Sequence, residues 1–89
     1  MNWDNYIKNF KYHLKIERGL SENSIKSYVY DINKFCNFLI INNIKLNPTD
    51  INIDLIKEFL YINSGKIKSR SQSRQISSLK SFFNYLVFE

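Results

Sequence analysis

The sequence has few of the residues that break helices, form disulfides or bind metals. Its 89 residues include 2 glycines, 1 proline, 1 cysteine and 1 histidine. A lone cysteine cannot form an internal disulfide, and one histidine cannot build a structural zinc site. No glycine-rich phosphate-binding loop is present either. These absences exclude a disulfide or zinc scaffold, and no cofactor is expected.

Long apolar runs are also missing. No stretch has the continuous apolar length of a signal peptide or a membrane-spanning helix, and the N-terminal segment is amphipathic with an acid at Asp4. Cys36 is best interpreted as a small core residue. The single cysteine and the lack of long apolar runs together predict a soluble cytoplasmic protein without a membrane partner.

Groupings that would indicate catalysis are scarce. His13 has no nucleophile or carboxylate at a revealing spacing, so a packed or surface role is expected. Asp50, Asp54 and Glu58 lack the further oxygen ligands of a metal site and are interpreted as helix-start and surface charges. The sequence therefore predicts no catalytic and no metal-binding residue.

Acidic residues are absent from Tyr61 to Phe88. The chain carries 13 Lys and Arg against 8 Asp and Glu, a formal net charge of +5, and the basic excess lies in its C-terminal third. A basic surface of this kind suggests a polyanionic partner.

What the sequence has in quantity is apolar and aromatic side chains at helical spacing. With 44% hydrophobic and 16% aromatic residues, it can build one dense core. Apolar stripes with a period of 3.6 residues predict four helices in an all-α single domain, over residues 3–17, 22–41, 53–63 and 69–87. In the last helix the expected inward residues are Ile76, Leu79, Phe82, Phe83 and Leu86, and the centre of the core is expected at Leu79 and Phe83 with Ile32 and Phe35.

Residues that favour helix ends flank these stripes. Gly19 is expected to terminate the first helix in a left-handed conformation. Ser21 and Asn52 are predicted N-caps of the second and third helices. Ser69 with Gln72 three residues later has the form of a capping box for the fourth helix.

The outward faces of the second and fourth helices combine cations with hydroxyl and amide side chains rather than with acids. Such side chains donate hydrogen bonds to phosphate oxygens, and some can read base edges in a major groove. We therefore expect duplex DNA as the partner. The candidate DNA-binding residues are Asn23, Ser24, Lys26, Ser27, Tyr30, Lys34, Lys66, Lys68, Arg70, Ser71, Arg74, Ser77, Ser78 and Ser81. Arg70 and Arg74 are expected to be the strongest.

Two segments together resemble a known family. ERGLSENSIKSYVYDINKFCNFL (Glu17 to Leu39) and SRSQSRQISSLKSFFNYL (Ser69 to Leu86) are similar, in order and spacing, to the N-terminal core-binding domain of tyrosine recombinases, in particular Xer-type recombinases and related integrases. Gln72 stands where the family usually has an apolar residue, and it is expected to loosen the first turn of the fourth helix.

The resemblance implies a compact four-helix, SAM-like bundle. It implies that this domain clamps one side of duplex DNA at a recombination site, while a separate catalytic domain with a nucleophilic tyrosine, absent from this chain, clamps the other. It further implies other recombinase protomers as partners. The isolated domain is expected to be a catalytically inert monomer.

Two other functions stay open at this point. One is a small basic helical protein-interaction module whose basic face docks an acidic partner. The other is a conventional helix-turn-helix repressor, which is disfavoured because no short turn joins two suitable helices.

Overall fold

The structure, a computed structural model, describes the backbone of residues 3–88 and the side chains of residues 3–87. Helix α1 covers Trp3–Tyr12 and continues as a π-helical turn over His13–Glu17. Helix α2 covers Glu22–Ile41, a short 3-10 turn covers Pro48–Asp50, and helices α3 and α4 cover Ile53–Asn63 and Ser69–Phe88. No strand occurs within residues 3–88, and the all-α, four-helix class is confirmed.

Three of the predicted helix ends are confirmed. Gly19 has a φ of 63°, and a side chain there would meet no atom within 4 Å, so glycine is favoured by its backbone conformation and not by lack of space. The Ser21 hydroxyl accepts a hydrogen bond from the Ser24 amide at 3.3 Å. The Asn52 side chain accepts one from the Leu55 amide at 3.0 Å. These caps satisfy amides that a helix start otherwise leaves unpaired.

The predicted capping box of α4 is wrong. The helix begins at Ser69 itself, and the Gln72 amide donates to the Lys68 carbonyl at 3.0 Å. The Gln72 side chain reaches in a different direction and donates through Nε2 to the Leu60 carbonyl of α3 at 2.8 Å. Gln72 thus ties the first turn of α4 to the last part of α3. The sequence instead predicts that Gln72 loosens this first turn.

The core is a chain of aromatic contacts that joins the four helices. Phe35 of α2 lies 5.2 Å from Phe59 of α3 and 6.2 Å from Trp3 of α1, measured between ring centroids. Phe10 of α1 lies 5.2 Å from Phe82 of α4. Edge-to-face aromatic pairs of this kind add to the free energy gained by burial. The described residues span 33 × 29 × 18 Å, and the short dimension corresponds to about two helix diameters.

The inward face of α4 differs from the predicted stripe. Gln75 and Ser78 are 1% and 0% exposed, whereas Ile76, predicted to be inward, is 38% exposed. Phe82 is fully buried, whereas Phe83 is only half-buried. The predicted central position of Leu79 is confirmed at 2% exposure, as are those of Ile32 and Phe35 at 0%, but that of Phe83 is wrong. The helix is rotated because it turns Arg74 and Ser78 towards Asp31 of α2.

Burial also determines the chemistry of the only cysteine. Cys36 is half-buried beside the core, as its place in the apolar stripe predicts. Burial, with a smaller contribution from the negative charge of Asp4, raises the pKa of the Cys36 thiol to about 11. The reactive thiolate is therefore scarce at neutral pH.

We predict that Phe82→Ala lowers the free energy of unfolding by about 3–5 kcal/mol, because it opens a cavity among Phe10, Trp3 and Phe83. Phe83→Ala is expected to cost only about 1–2 kcal/mol, because its half-buried ring leaves a site that water or neighbouring side chains can fill. Urea denaturation followed by circular dichroism measures both changes. A larger loss for Phe83→Ala would contradict the observed rotation of α4.

We predict that Cys36 of the folded chain reacts slowly with iodoacetamide at pH 7, and that its rate rises with pH up to about pH 11. In urea the rate at pH 7 is expected to rise at least about tenfold, because unfolding exposes the thiol and returns its pKa towards the ordinary value of about 8.5. Mass spectrometry of timed samples measures both rates. Equal rates in the folded and unfolded chain would contradict this prediction.

Candidate nucleic-acid interface

A buried carboxylate lies at the contact between α2 and α4. Asp31, in the middle of α2, is fully buried. Its Oδ2 accepts hydrogen bonds from Arg74 Nε at 3.0 Å and from Ser78 Oγ at 2.8 Å, and its Oδ1 accepts one from Arg74 Nη2 at 2.9 Å. Both partners come from α4, 43 and 47 residues further along the chain. A buried charge is tolerated only when it is paired and hydrogen-bonded in this way.

Arg74 meets this carboxylate with one edge of its guanidinium group. The hydrogen bonds from Arg74 to Asp31 and the negative charge of that carboxylate raise the pKa of Arg74 above its already high ordinary value. The two side chains differ in exposure, with 42% of Arg74 and 1% of Asp31 accessible to solvent. Arg74 therefore separates the buried carboxylate from solvent while part of its own side chain stays exposed.

This arrangement corrects the sequence-based assignment of Ser78 and adds a partner to Arg74. Ser78, expected on the flank of the DNA-binding face, is fully buried and bonded to Asp31, so its hydroxyl is not available at the surface. Arg74 lies at the surface, as predicted, with 42% of its side chain exposed, and its charge is also paired with that of Asp31. Asp31 itself was missed, although an acid between Tyr30 and Ile32 at the edge of an apolar stripe is an available signal.

The other candidate cations stay at the surface. Lys26, Lys66, Lys68 and Arg70 are exposed, and Lys34 is half-buried. Within residues 3–87, none of these five forms an ion pair. Their charge is therefore not neutralised by the fold. Other cations do form salt bridges, and Lys15 Nζ lies 3.4 Å from Glu22 Oε1.

Several of these cations lie close together. Lys34 Nζ is 5.3 Å from the centre of the Tyr30 ring, which is 54% exposed. Lys34 and Lys66 line one depression, together with the buried Phe38 and Phe59. Tyr30 lies near Arg74. These positions connect Tyr30 and Lys34 of α2 with Lys66 of the loop before α4 and with Arg74 of α4.

The polar candidates are divided between surface and partly buried positions. Asn23 and Ser77 are exposed, and Ser27, Ser71 and Ser81 are half-buried. The half-buried hydroxyl of Ser24 accepts a hydrogen bond from the Ser21 hydroxyl at 3.1 Å, so it belongs to the cap of α2.

We call the surface formed by the five unpaired cations and Tyr30 the basic surface. Its members are Lys26, Tyr30, Lys34, Lys66, Lys68 and Arg70.

Other kinds of site are not seen in the part of the chain that the structure describes. No helix there has both the length and the apolar character needed to cross a membrane. No group of three or more His, Cys, Asp or Glu side chains is placed to hold a metal ion. His13 lies 2.9 Å from Glu17 and packs on the rings of Phe10 and Tyr85, so it takes the packed role that its position predicts. The basic surface is the candidate site.

The chain is similar to proteins of known families. Residues 7–89 match the family described as phage integrase, N-terminal SAM-like domain. A tyrosine recombinase of Pseudothermotoga lettingae is 40% identical over 90% of this chain and 28% of its own length. The tyrosine recombinase XerD of Rickettsia conorii is 36% identical, and XerC of Thermodesulfovibrio yellowstonii is 34% identical, each over 94% of this chain and 27% of its own length. The chain thus spans little more than a quarter of these relatives, and no solved structure gives a significant match.

We predict that Arg74→Ala lowers the free energy of unfolding by about 2–4 kcal/mol, because it leaves the buried Asp31 carboxylate with Ser78 as its only partner. The loss is limited because Arg74 is partly exposed and solvent screens its attraction to the carboxylate. Asp31→Ala is expected to cost less, since the released guanidinium can reach water.

A double-mutant cycle separates this pairing from simple loss of packing. We expect the double variant Asp31→Ala with Arg74→Ala to cost less than the sum of the single changes by about 1–2 kcal/mol. Urea unfolding followed by circular dichroism gives all three values. Additive losses would show that the two side chains are not energetically coupled.

Proposed function

The chain belongs to the family of phage integrase N-terminal SAM-like domains, and from this we propose that it is the DNA-binding N-terminal domain of a tyrosine recombinase. In this proposal the basic surface of α2 and α4 holds duplex DNA at a recombination site. The domain acts by binding alone. Strand cleavage belongs to a catalytic domain of the parent recombinase, and other protomers join it in the recombining assembly.

One observation supports the proposal above the others: five cations from α2, α4 and the loop before α4 lie at the surface without acidic partners within the described residues. Lysine and arginine side chains in such an arrangement release counterions when they contact phosphates, which provides much of the free energy of DNA binding. A surface that only had to be soluble would gain from mixed charges. The exposed Ser77 and Asn23 add hydrogen-bond donors to the same two helices.

The first turns of α4 are the proposed strongest determinant. Arg70 is exposed in the first turn of the helix, where amide groups and the helix dipole also favour a phosphate. Lys66 and Lys68 precede it in a loop that can follow a phosphate backbone. Lys26 and Lys34 form a second row on α2. Two rows of donors on neighbouring helices suit the two-sided contact that a groove and its flanking phosphates offer.

We predict that the chain binds a duplex of about 30 base pairs weakly and with little sequence preference, and that its affinity falls steeply with salt. If the five unpaired cations each neutralise one phosphate, the slope of log affinity against log salt concentration is about −4 to −5. Lys26→Ala and Arg70→Ala are each expected to weaken binding about 3- to 10-fold and to make the slope shallower by roughly one. Fluorescence anisotropy of a labelled duplex measures both quantities.

Lys8→Ala and Lys57→Ala are the matched controls, because they remove the same charge from exposed positions on α1 and α3. They should bind almost as tightly as the unchanged chain. Equal losses at all four positions would show that net charge, and not this surface, determines binding. Arg74→Ala is expected to weaken binding more than these controls, but it also unpairs Asp31, so Arg70 and Lys26 are the cleaner test.

The alternative function, a protein-interaction module that docks an acidic partner, is tested by competition for the same basic surface. Polyglutamate of equal total charge serves as an acidic polypeptide competitor. If the basic surface binds duplex DNA, unlabelled duplex should displace the labelled duplex at a concentration at least about tenfold lower than polyglutamate does. The reason is that phosphates spaced along a duplex match two rows of cations. Equal competition, or binding of DNA that salt does not weaken, would favour the protein-interaction alternative.

A further inference from the structure

We propose that Asp31 is a positioning residue for DNA recognition, which holds the Arg74 guanidinium so that its unbonded edge faces the DNA. This inference rests on the proposed function of the basic surface. Asp31, a fully buried acid on a basic chain, thereby takes part in binding a polyanion.

The hydrogen bonds divide the guanidinium group into two edges. A guanidinium carries five N–H donors in a rigid plane. Arg74 uses Nε and Nη2 for the two oxygens of Asp31, and its Nη1 makes no hydrogen bond within the described residues. Because the group is planar, fixing one edge also fixes the direction of the other. The partial exposure of Arg74, against the burial of Asp31, leaves this second edge on the solvent side.

The position of this edge is within the basic surface. Tyr30 lies near Arg74, and Lys34 lies over the Tyr30 ring. Ser78, which is fully buried, donates one further hydrogen bond to Asp31 Oδ2 at 2.8 Å and does not touch the guanidinium's two bonds to the carboxylate. The long flexible side chain of Lys34 therefore lies near a guanidinium group whose orientation the fold has already fixed. Such a group loses less side-chain entropy when it forms hydrogen bonds to DNA.

The net charge of the Arg74–Asp31 pair distinguishes positioning from simple attraction of charge. Arg74 and Asp31 together carry no net charge, so Arg74 contributes directed hydrogen bonds more than long-range attraction. If charge alone mattered, removing the negative charge of Asp31 would strengthen DNA binding. If Asp31 positions Arg74, removing that charge weakens binding although the chain becomes more basic.

The experiment compares Asp31→Asn with Glu58→Gln by fluorescence anisotropy on the same duplex. Each variant loses one negative charge, and Glu58 is exposed on α3 with no ion pair to any other side chain of residues 3–87. We expect Glu58→Gln to bind as tightly as the unchanged chain or slightly more tightly, and Asp31→Asn to bind about 3- to 10-fold more weakly. Binding by Asp31→Asn that equals or exceeds that of Glu58→Gln would overturn the inference.

Ser78→Ala separates positioning from fold stability. It removes one hydrogen bond from the buried carboxylate but leaves both bonds from Arg74. Circular dichroism first identifies a temperature at which each variant is folded. At that temperature Ser78→Ala should bind within about twofold of the unchanged chain. If its affinity falls as far as that of Asp31→Asn, the loss follows stability and the positioning role is refuted.

Arg74→Lys tests the inference even if Asp31→Asn does not fold. Lysine keeps the charge and can still pair with Asp31, but it has no second planar edge. We expect about a 3- to 10-fold loss of affinity with an unchanged salt slope, whereas an unchanged affinity would contradict the inference. Failure of the proposed function would look different, because the unchanged chain would then show no salt-dependent binding and Arg70→Ala would have no effect.

Discussion

The buried carboxylate of Asp31 is the constraint on which the placement of α4 depends. An unpaired charge in this position would cost several kcal/mol, so any folded arrangement must bring donors to it. Arg74 and Ser78 provide three hydrogen bonds, and both are on α4. Because they lie four residues apart on one face of the helix, meeting Asp31 sets the rotation of α4 about its axis as well as its contact with α2.

This rotation explains the arrangement of the core. Turning Arg74 and Ser78 towards α2 brings Phe82, four residues beyond Ser78, fully into the aromatic cluster. The same rotation moves Ile76 partly into solvent. A helix that followed only its apolar stripe would bury Ile76. The hydrogen-bonding requirement of one acid therefore outweighs the burial of one isoleucine, which contributes about 1.5–3 kcal/mol when complete.

The sequence predicts those parts of the fold that local signals determine. The apolar period gives the four-helix class, and Gly19, Ser21 and Asn52 mark helix ends by their own backbone or side-chain chemistry. The roles of Ser78 and Gln72 could not be found in this way, because their partners lie 47 and 12 residues distant along the chain. A serine or glutamine is expected at a helix surface until a distant partner is known. The DNA-binding role of the surface residues stays a prediction.

The same interaction connects the fold to the proposed interface. An apolar pair of similar volume in place of Asp31 and Arg74 could be as stable or more stable, since buried ion pairs lose in desolvation much of what they gain by attraction. Apolar contacts, however, have no preferred direction, and they tolerate sliding and rotation of one helix on the other. Directed hydrogen bonds between α2 and α4 fix the two helices that carry Lys26 and Arg70. The hydrogen bonds that orient Arg74 therefore also hold together the two helices on which the proposed DNA contacts lie.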